Sequence, residues 1–304
     1  MGLNVLPKRL ILKQWQCPGD ILMLTAAVRD LKQSFPEISI DVRTPYPFLW
    51  ENNPHIEKIT DREGKLYHIG YKTPHQDPSI PDRVHFIYAF HRTLEQLFDV
   101  KIHRGDPFPD IWLSNNDFFP KIPKNKPILL INAGSKPDFP IKQWPLTNFQ
   151  AVVDACQEKF TIVQIGQTTG ATHSPLKGVV NLINQTPSRL IVALMREASA
   201  VLTGVSFPMH LCAAVNHADG LNRKCIVIAG HRENPGWEQY PGMDYLYKPC
   251  DCVPDNQGCW KKWLPPNYLD GKNLCKKPVR LPDSHYYAEC ISQIKPEDVI
   301  KCLL

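Results

Sequence analysis

At 304 residues the chain is long for one hydrophobic core and fits two domains of roughly 150 residues each. Hydrophobic residues at 43% and charged residues at 21% are ordinary for a soluble globular enzyme and exclude a disordered chain. A net charge of +5 suits an anionic substrate or an acidic membrane surface, but it lacks the clustered positive charge of a nucleic-acid binder.

The opening MGLNVLPKRLILKQW has no apolar core followed by a small-residue cleavage site, so no secretory signal is expected. No run approaches the roughly 18 apolar residues of a membrane span. Arg9–Trp15 reads as a buried strand ended by Pro18-Gly19, and Asp20 as the cap of a helix over Ile21–Phe35 with apolar positions at Ile21, Leu24, Val28 and Leu31. Ile38–Thr44 alternates as a second strand. Such a strand–turn–helix–strand unit is the expected opening of a parallel sheet. Ile56–Thr60, Lys65–Tyr71 and Asp110–Ser114 suggest further short strands, and His85–Val100 a helix. Pro120–Pro127, rich in proline and lysine, reads as the linker between domains, which sets boundaries at 1–122 and 123–304.

A second α/β series follows. Ile128–Asn132 is an apolar strand running into Ala133-Gly134-Ser135, and Thr147–Lys159 a helix capped by Thr147 or Asn148. Thr161–Ile165 is a strand ending at Gly166, Ser188–Glu197 a helix, Ala200–Thr203 a strand, Pro208–Val215 a helix and Cys225–Ala229 a strand, with a closing helix over Pro296–Leu304. Strands that end in small residues before helices line backbone N–H groups along one sheet edge, where open α/β sheets bind phosphorylated ligands. The fold class expected is α/β, with two Rossmann-like domains facing a cleft.

Asp20 at a strand-to-helix turn has two readings, an N-cap and a general base, and both can hold together. Ser206, Pro208, Met209 and His210 lie between a strand and a helix start, where hydroxyl and N–H groups suit a diphosphate. His210 could equally cap the sheet. Gly166 and Gln167 follow a strand and should lie near a nucleoside or simply shape the loop. Arg232, in the polar run His231–Pro235, is a candidate phosphate contact.

Three blocks carry a family resemblance. The first is Gly19-Asp20-Ile21-Leu22 with Ala27-Val28-Arg29, Phe35-Pro36 and Asp41-Val42. The second is Asn132-Ala133-Gly134-Ser135 followed by Lys142-Gln143-Trp144-Pro145, and the third is Gly204-Val205-Ser206-Phe207-Pro208-Met209-His210-Leu211-Cys212-Ala213-Ala214. In this order the chain resembles glycosyltransferase family 9, the ADP-heptose:lipopolysaccharide heptosyltransferases. The resemblance implies a GT-B fold, with acceptor bound by residues 1–122 and nucleotide-sugar by residues 123–304. It implies an inverting transferase with no catalytic metal, in which Asp20 is the base and Lys142 neutralises the leaving diphosphate. Gly134 and Ser135 fall at donor-contact positions. The chain departs from the family at Val205, where aspartate is usual, and at Phe207-Pro208, near the usual glycine. That puts heptose in doubt without removing the phosphate site.

Cys250, Cys252, Cys259 and Cys275 gather in loop-like sequence at the end of the chain. Four thiolates suit a structural zinc or iron, and disulfides or free thiols are the other readings. The resemblance extends to autotransporter heptosyltransferases, which hold iron in a late cysteine cluster of different spacing. Cys156 and Cys212 read as core residues. The function expected is transfer of a heptose or other hexose-like sugar from a nucleotide diphosphate donor, an ADP-sugar, to a hydroxyl of a glycan, lipopolysaccharide or protein. The setting expected is cytoplasmic, with peripheral contact at the inner membrane face. Two other readings stay open: a non-catalytic nucleotide-sugar or glycan-binding module, motivated by Val205, and a transferase acting on nucleic acid.

Overall fold

The computed structural model describes residues 6–72, 84–117, 122, 125–134, 140–169, 173–186, 189–252, 275–283 and 285–304. Two compact units are seen: residues 1–116 with 213–221, and residues 117–212 with 222–304. Among the described residues no helix is long and apolar enough to cross a membrane.

In the first unit, β1 (Arg9–Lys13), β2 (Ser39–Arg43) and β3 (Lys65–His68) form a parallel sheet in the order β2-β1-β3. Leu10, Ile11 and Leu12 are fully buried in the central strand, as a strand covered on both faces requires. Helix α1 (Pro18–Ser34) buries Ile21, Leu22, Leu24, Val28 and Leu31, each contributing roughly 1.5–3 kcal/mol by leaving water. It begins two residues earlier than the expected cap. Cys17 takes the N-cap position, Pro18 the first helical one, and Asp20 the third, where its Oδ2 accepts from the Cys17 amide at 3.0 Å. Asp20 is thus the return half of a capping box, not the cap itself. The helix expected from His85 starts as a 3-10 turn, Phe86–Tyr88, and continues as α2 (Ala89–Phe98). Asp99 closes it in the left-handed conformation, its N–H donating to Glu95 O.

The strands expected at Ile56–Thr60 and Asp110–Ser114 do not form. Asp110 shows one reason: its backbone N–H, a group a ladder would use, donates instead to Thr25 Oγ1 at 2.7 Å, while its carboxylate receives Arg29 Nη1.

In the second unit β4 (Ile128–Ile131), β5 (Thr161–Gln164), β6 (Val180–Asn181), β7 (Ala200–Gly204), β8 (Lys224–Ile228) and β9 (Asp244–Leu246) make a parallel sheet ordered β6-β5-β4-β7-β8-β9. Helices α3 (Leu146–Cys156), α4 (Leu190–Glu197) and α5 (Phe207–Asp219) connect these strands, and Ala213–Leu221 groups with the first unit. Pro145, not Thr147 or Asn148, stands at the N-cap of α3. Short α6 (Pro235–Glu238), the hairpin β10 (Pro278–Arg280) and β11 (Tyr286–Ala288), α7 (Glu289–Ser292) and α8 (Pro296–Leu303) complete the unit. One apolar core runs from Leu129 and Ile131 through Phe149 and Val153 to Ile294 and Val299. Cys156 and Cys212 are fully buried, as core residues.

Candidate functional site

Asp20 stands in the loop-to-helix turn after β1. Its Oδ2 is held by the Cys17 amide, and its Oδ1 accepts the Tyr71 hydroxyl at 2.5 Å. Tyr71 lies beyond β3 and packs edge-on against Phe90 at 5.1 Å between ring centroids. Both oxygens therefore face donors, which fixes the carboxylate in one orientation.

Further along α1 lies a buried ionic network. Asp30, wholly inaccessible, takes hydrogen bonds from Arg29 Nε at 2.7 Å, His91 Nε2 at 2.8 Å and the Gly105 amide at 2.9 Å. Arg29 Nη1 reaches Asp110 at 2.8 Å. These contacts tie α1, α2 and the loop at residues 105–110 together.

In the second unit, the loops after β4, β7 and β8 carry the donor-site candidates. Lys142, in a 3-10 turn, reaches Glu233 Oε1 at 2.5 Å and donates to Val205 O at 3.3 Å. Glu233 is 1% exposed and also lies 3.9 Å from Arg232 Nε. Lys142 and Arg232 are thereby brought together by a carboxylate that sequence reasoning did not single out, and Lys142 also reaches the turn before Ser206 through Val205 O. Val205, where the family pattern carries aspartate, is buried and serves Lys142 through its backbone oxygen, which any residue supplies. Trp144 anchors this loop: it is 1% exposed, and its Nε1 donates to Ile294 O at 2.9 Å.

Ser206 Oγ pairs with Thr203 Oγ1 at 2.9 Å, at the start of α5. Pro208 and Met209 are buried in that helix. His210 turns inward, its Nδ1 2.8 Å from the Tyr240 hydroxyl and its Nε2 3.7 Å from Glu238. Gln167 is exposed. Ser135 lies outside the described residues.

Gly134 and Gly166 follow β4 and β5, and the ring of His173 packs on both, in space that a Cβ at either position would enter. His173 carried no sequence signal. Burial holds its pKa below the usual imidazole range, and its buried Nδ1 has no hydrogen-bond partner among the described residues. A neutral imidazole is thus held at the C-terminal edge of the sheet.

Cys250, Cys252 and Cys275 are half-buried, and burial is the largest influence raising each thiol's pKa, Cys252 to about 11. Cys290, passed over in the sequence, adds a further thiol within electrostatic reach of Cys250, whose amide donates to His231 Nδ1. Cys259 lies outside the described residues. Among the described residues no three His, Cys, Asp or Glu side chains converge as a metal site, so these thiols alone do not form a ligand set.

The family model for glycosyltransferase family 9 (heptosyltransferase) matches residues 68–218. No curated protein matches the chain in sequence. Among solved structures, a family 9 glycosyltransferase from Veillonella parvula superposes with a TM-score of 0.65 at 16% identity, over 99% of this chain and 98% of that one. The E. coli ADP-heptose lipopolysaccharide heptosyltransferase II gives 0.63 at 15%, over 96% and 97%. The dodecameric iron-containing heptosyltransferase TibC of enterotoxigenic E. coli, solved with ADP-D-β-D-heptose, gives 0.67 at 18%, over 100% and 76%. At these identities the likeness is one of fold, and the fold is the GT-B arrangement of two Rossmann-like domains.

Proposed function

Because residues 68–218 match the family model of glycosyltransferase family 9, we propose that the chain transfers a sugar, with inversion, from an ADP-sugar to a hydroxyl of a glycan, lipopolysaccharide or protein acceptor. The observation that carries this reading is the grouping of Lys142, Ser206 and Arg232 on loops after β4, β7 and β8 of one parallel sheet, where phosphorylated ligands are bound.

Asp20, its oxygens fixed by Cys17 and Tyr71, takes the proton of the acceptor hydroxyl. The freed oxygen forms a bond to the anomeric carbon as the bond from that carbon to the β-phosphate oxygen breaks. The nucleoside diphosphate leaves with the electron pair, and its growing charge is met by Lys142 and Arg232. Glu233 holds those cations in place when the donor is absent. The donors in this scheme are side chains and amides, and no step passes through a metal.

Asp20→Asn tests the assignment. Transfer should fall by about two orders of magnitude or more while ADP affinity stays within about twofold. Full activity in this variant with a competent donor–acceptor pair would sink it. ADP-sugar binding by the wild-type chain with no release of ADP would favour a binding module instead.

A structural zinc or iron held by Cys250, Cys252, Cys259 and Cys275 belongs to the same reading, supported by the gathering of thiols around Cys250. It takes no part in transfer. Elemental analysis should find about one metal per chain, lost in Cys250→Ser; metal-free protein of unchanged stability removes this element.

A further inference from the structure

Glu233 is a buried carboxylate that uses one of its oxygens. It is 1% exposed, its Oε1 receives Lys142 Nζ at 2.5 Å, and its Oε2, closed off from solvent, accepts no hydrogen bond among the described residues. Two other carboxylates as deeply buried fill both oxygens. Asp30 takes Arg29 on one and His91 with the Gly105 amide on the other, and Asp117 takes Arg189 on both. An ionised oxygen kept from water and from any donor is costly, so its persistence in the fold calls for a reason, and a ligand hydroxyl supplies one.

The backbone around Glu233 is fixed. The residue lies between β8 and α6, and its carbonyl accepts the Tyr245 hydroxyl at 3.3 Å. The next side chain, Asn234, caps α6 by accepting from the Gly236 amide at 2.8 Å. The closest cation to Glu233 is Lys142, which also donates to Val205 O and is the group assigned to the leaving diphosphate. A diphosphate that draws on Lys142 therefore weakens the ion pair of a carboxylate already short of one donor, and the two anions repel each other. A nucleotide-sugar offsets this, because the sugar next to its β-phosphate carries hydroxyls that can donate to Oε2. ADP has no sugar there, and its terminal phosphate gains a negative charge when the bond to the anomeric carbon breaks.

We propose that Glu233 separates donor from product: its Oε2 accepts a hydroxyl of the sugar to be transferred, and its charge helps to expel ADP once that sugar has left. The inference rests on the reading of Lys142 as the partner of the diphosphate.

Calorimetric titration of the full chain with ADP, ADP-glucose and ADP-heptose tests it. Glu233→Gln should bind ADP severalfold more tightly and the better of the two ADP-sugars no more tightly than wild type does. The ratio of sugar-nucleotide to ADP affinity should therefore fall about tenfold. A merely structural role would move all three ligands together. An unchanged ratio, or a wild type that binds ADP and neither sugar-nucleotide, overturns the proposal. Should Glu233→Gln fail to fold by circular dichroism, the wild type decides with analogues of the better ADP-sugar lacking one sugar hydroxyl each. One of these should bind about tenfold more weakly than the parent, and uniform affinity across the series overturns the proposal equally. Binding of neither ADP nor any ADP-sugar would remove the donor reading itself, whereas ADP-sugar binding with an unchanged ratio removes the role of Glu233 alone.

Discussion

The Tyr71 hydroxyl lies 2.5 Å from Asp20 Oδ1, joining the segment after β3 to the first turn of α1 across 51 positions of sequence. With the Cys17 amide on the other oxygen, the carboxylate is aimed by two donors. Tyr71→Phe keeps the ring that packs on Phe90 and removes one charge-assisted bond, worth about 1.5–3 kcal/mol. Turnover should fall about tenfold or more with ADP affinity unchanged and thermal stability nearly so. An unaltered kcat would show that Asp20 needs no such positioning.

Lys142 and Glu233 form the corresponding pair in the second unit. Glu233 is almost wholly buried, and its other cation, Arg232, stands further off at 3.9 Å. Lys142→Ala leaves that anion poorly compensated and should cost about 3 kcal/mol of unfolding free energy, with weaker ADP binding besides. Glu233→Gln removes the charge that competes with a diphosphate for Lys142. It should be the less destabilising of the two and should tighten ADP binding severalfold at moderate salt. Chemical denaturation and calorimetry read both, and weaker ADP binding in Glu233→Gln would contradict the competition.

What the sequence made legible follows from the range of the signal. The runs that became β1, β4, β7 and β8 are continuous apolar stretches, and α1 shows a helical period, so local pattern sufficed. β9 and the β10–β11 hairpin are three-residue strands, too short for a period to register. The candidate site was legible only in part. Asp20, Lys142 and Arg232 stood in motif-like settings, while Tyr71, Glu233, His173 and Cys290 gain meaning only from partners that the fold brings near. Asp20 was misread as the N-cap because a capping box places an acidic residue three positions inside the helix, and Pro18 at the first helical position was taken for a breaker.

Gly166 and His173 give a prediction of a different kind. A methyl at Gly166 would enter the space of the His173 ring. Gly166→Ala should therefore destabilise the second unit by about 1–3 kcal/mol and weaken ADP binding, through a displaced ring. His173→Ala should relieve the clash, so the double variant should lose less than the sum of the single changes. Strict additivity in melting experiments would mean that the ring does not occupy that space.

Acid tests the buried network around Asp30. Burial would push the Asp30 carboxyl up, but hydrogen bonds from His91, Arg29 and the Gly105 amide outweigh it and hold its pKa below the usual range. The unfolded chain takes up that proton near the ordinary value, the folded chain only at lower pH. This stabilisation is therefore whole above about pH 4 and is lost progressively as pH falls below it. Asp110 runs the other way: burial raises its carboxyl more than Arg29 lowers it, so its earlier protonation in the folded state offsets part of the loss. Asp30→Asn should be less stable than wild type at pH 7 by about 2–3 kcal/mol and should show a shallower decline between about pH 4 and pH 2. Arg29→Leu, which leaves two buried carboxylates facing each other, should cost about 3–5 kcal/mol at pH 7 and recover part of it as acid neutralises them. Urea unfolding across this range measures both, and parallel pH profiles for wild type and Asp30→Asn would refute the assigned role of Asp30.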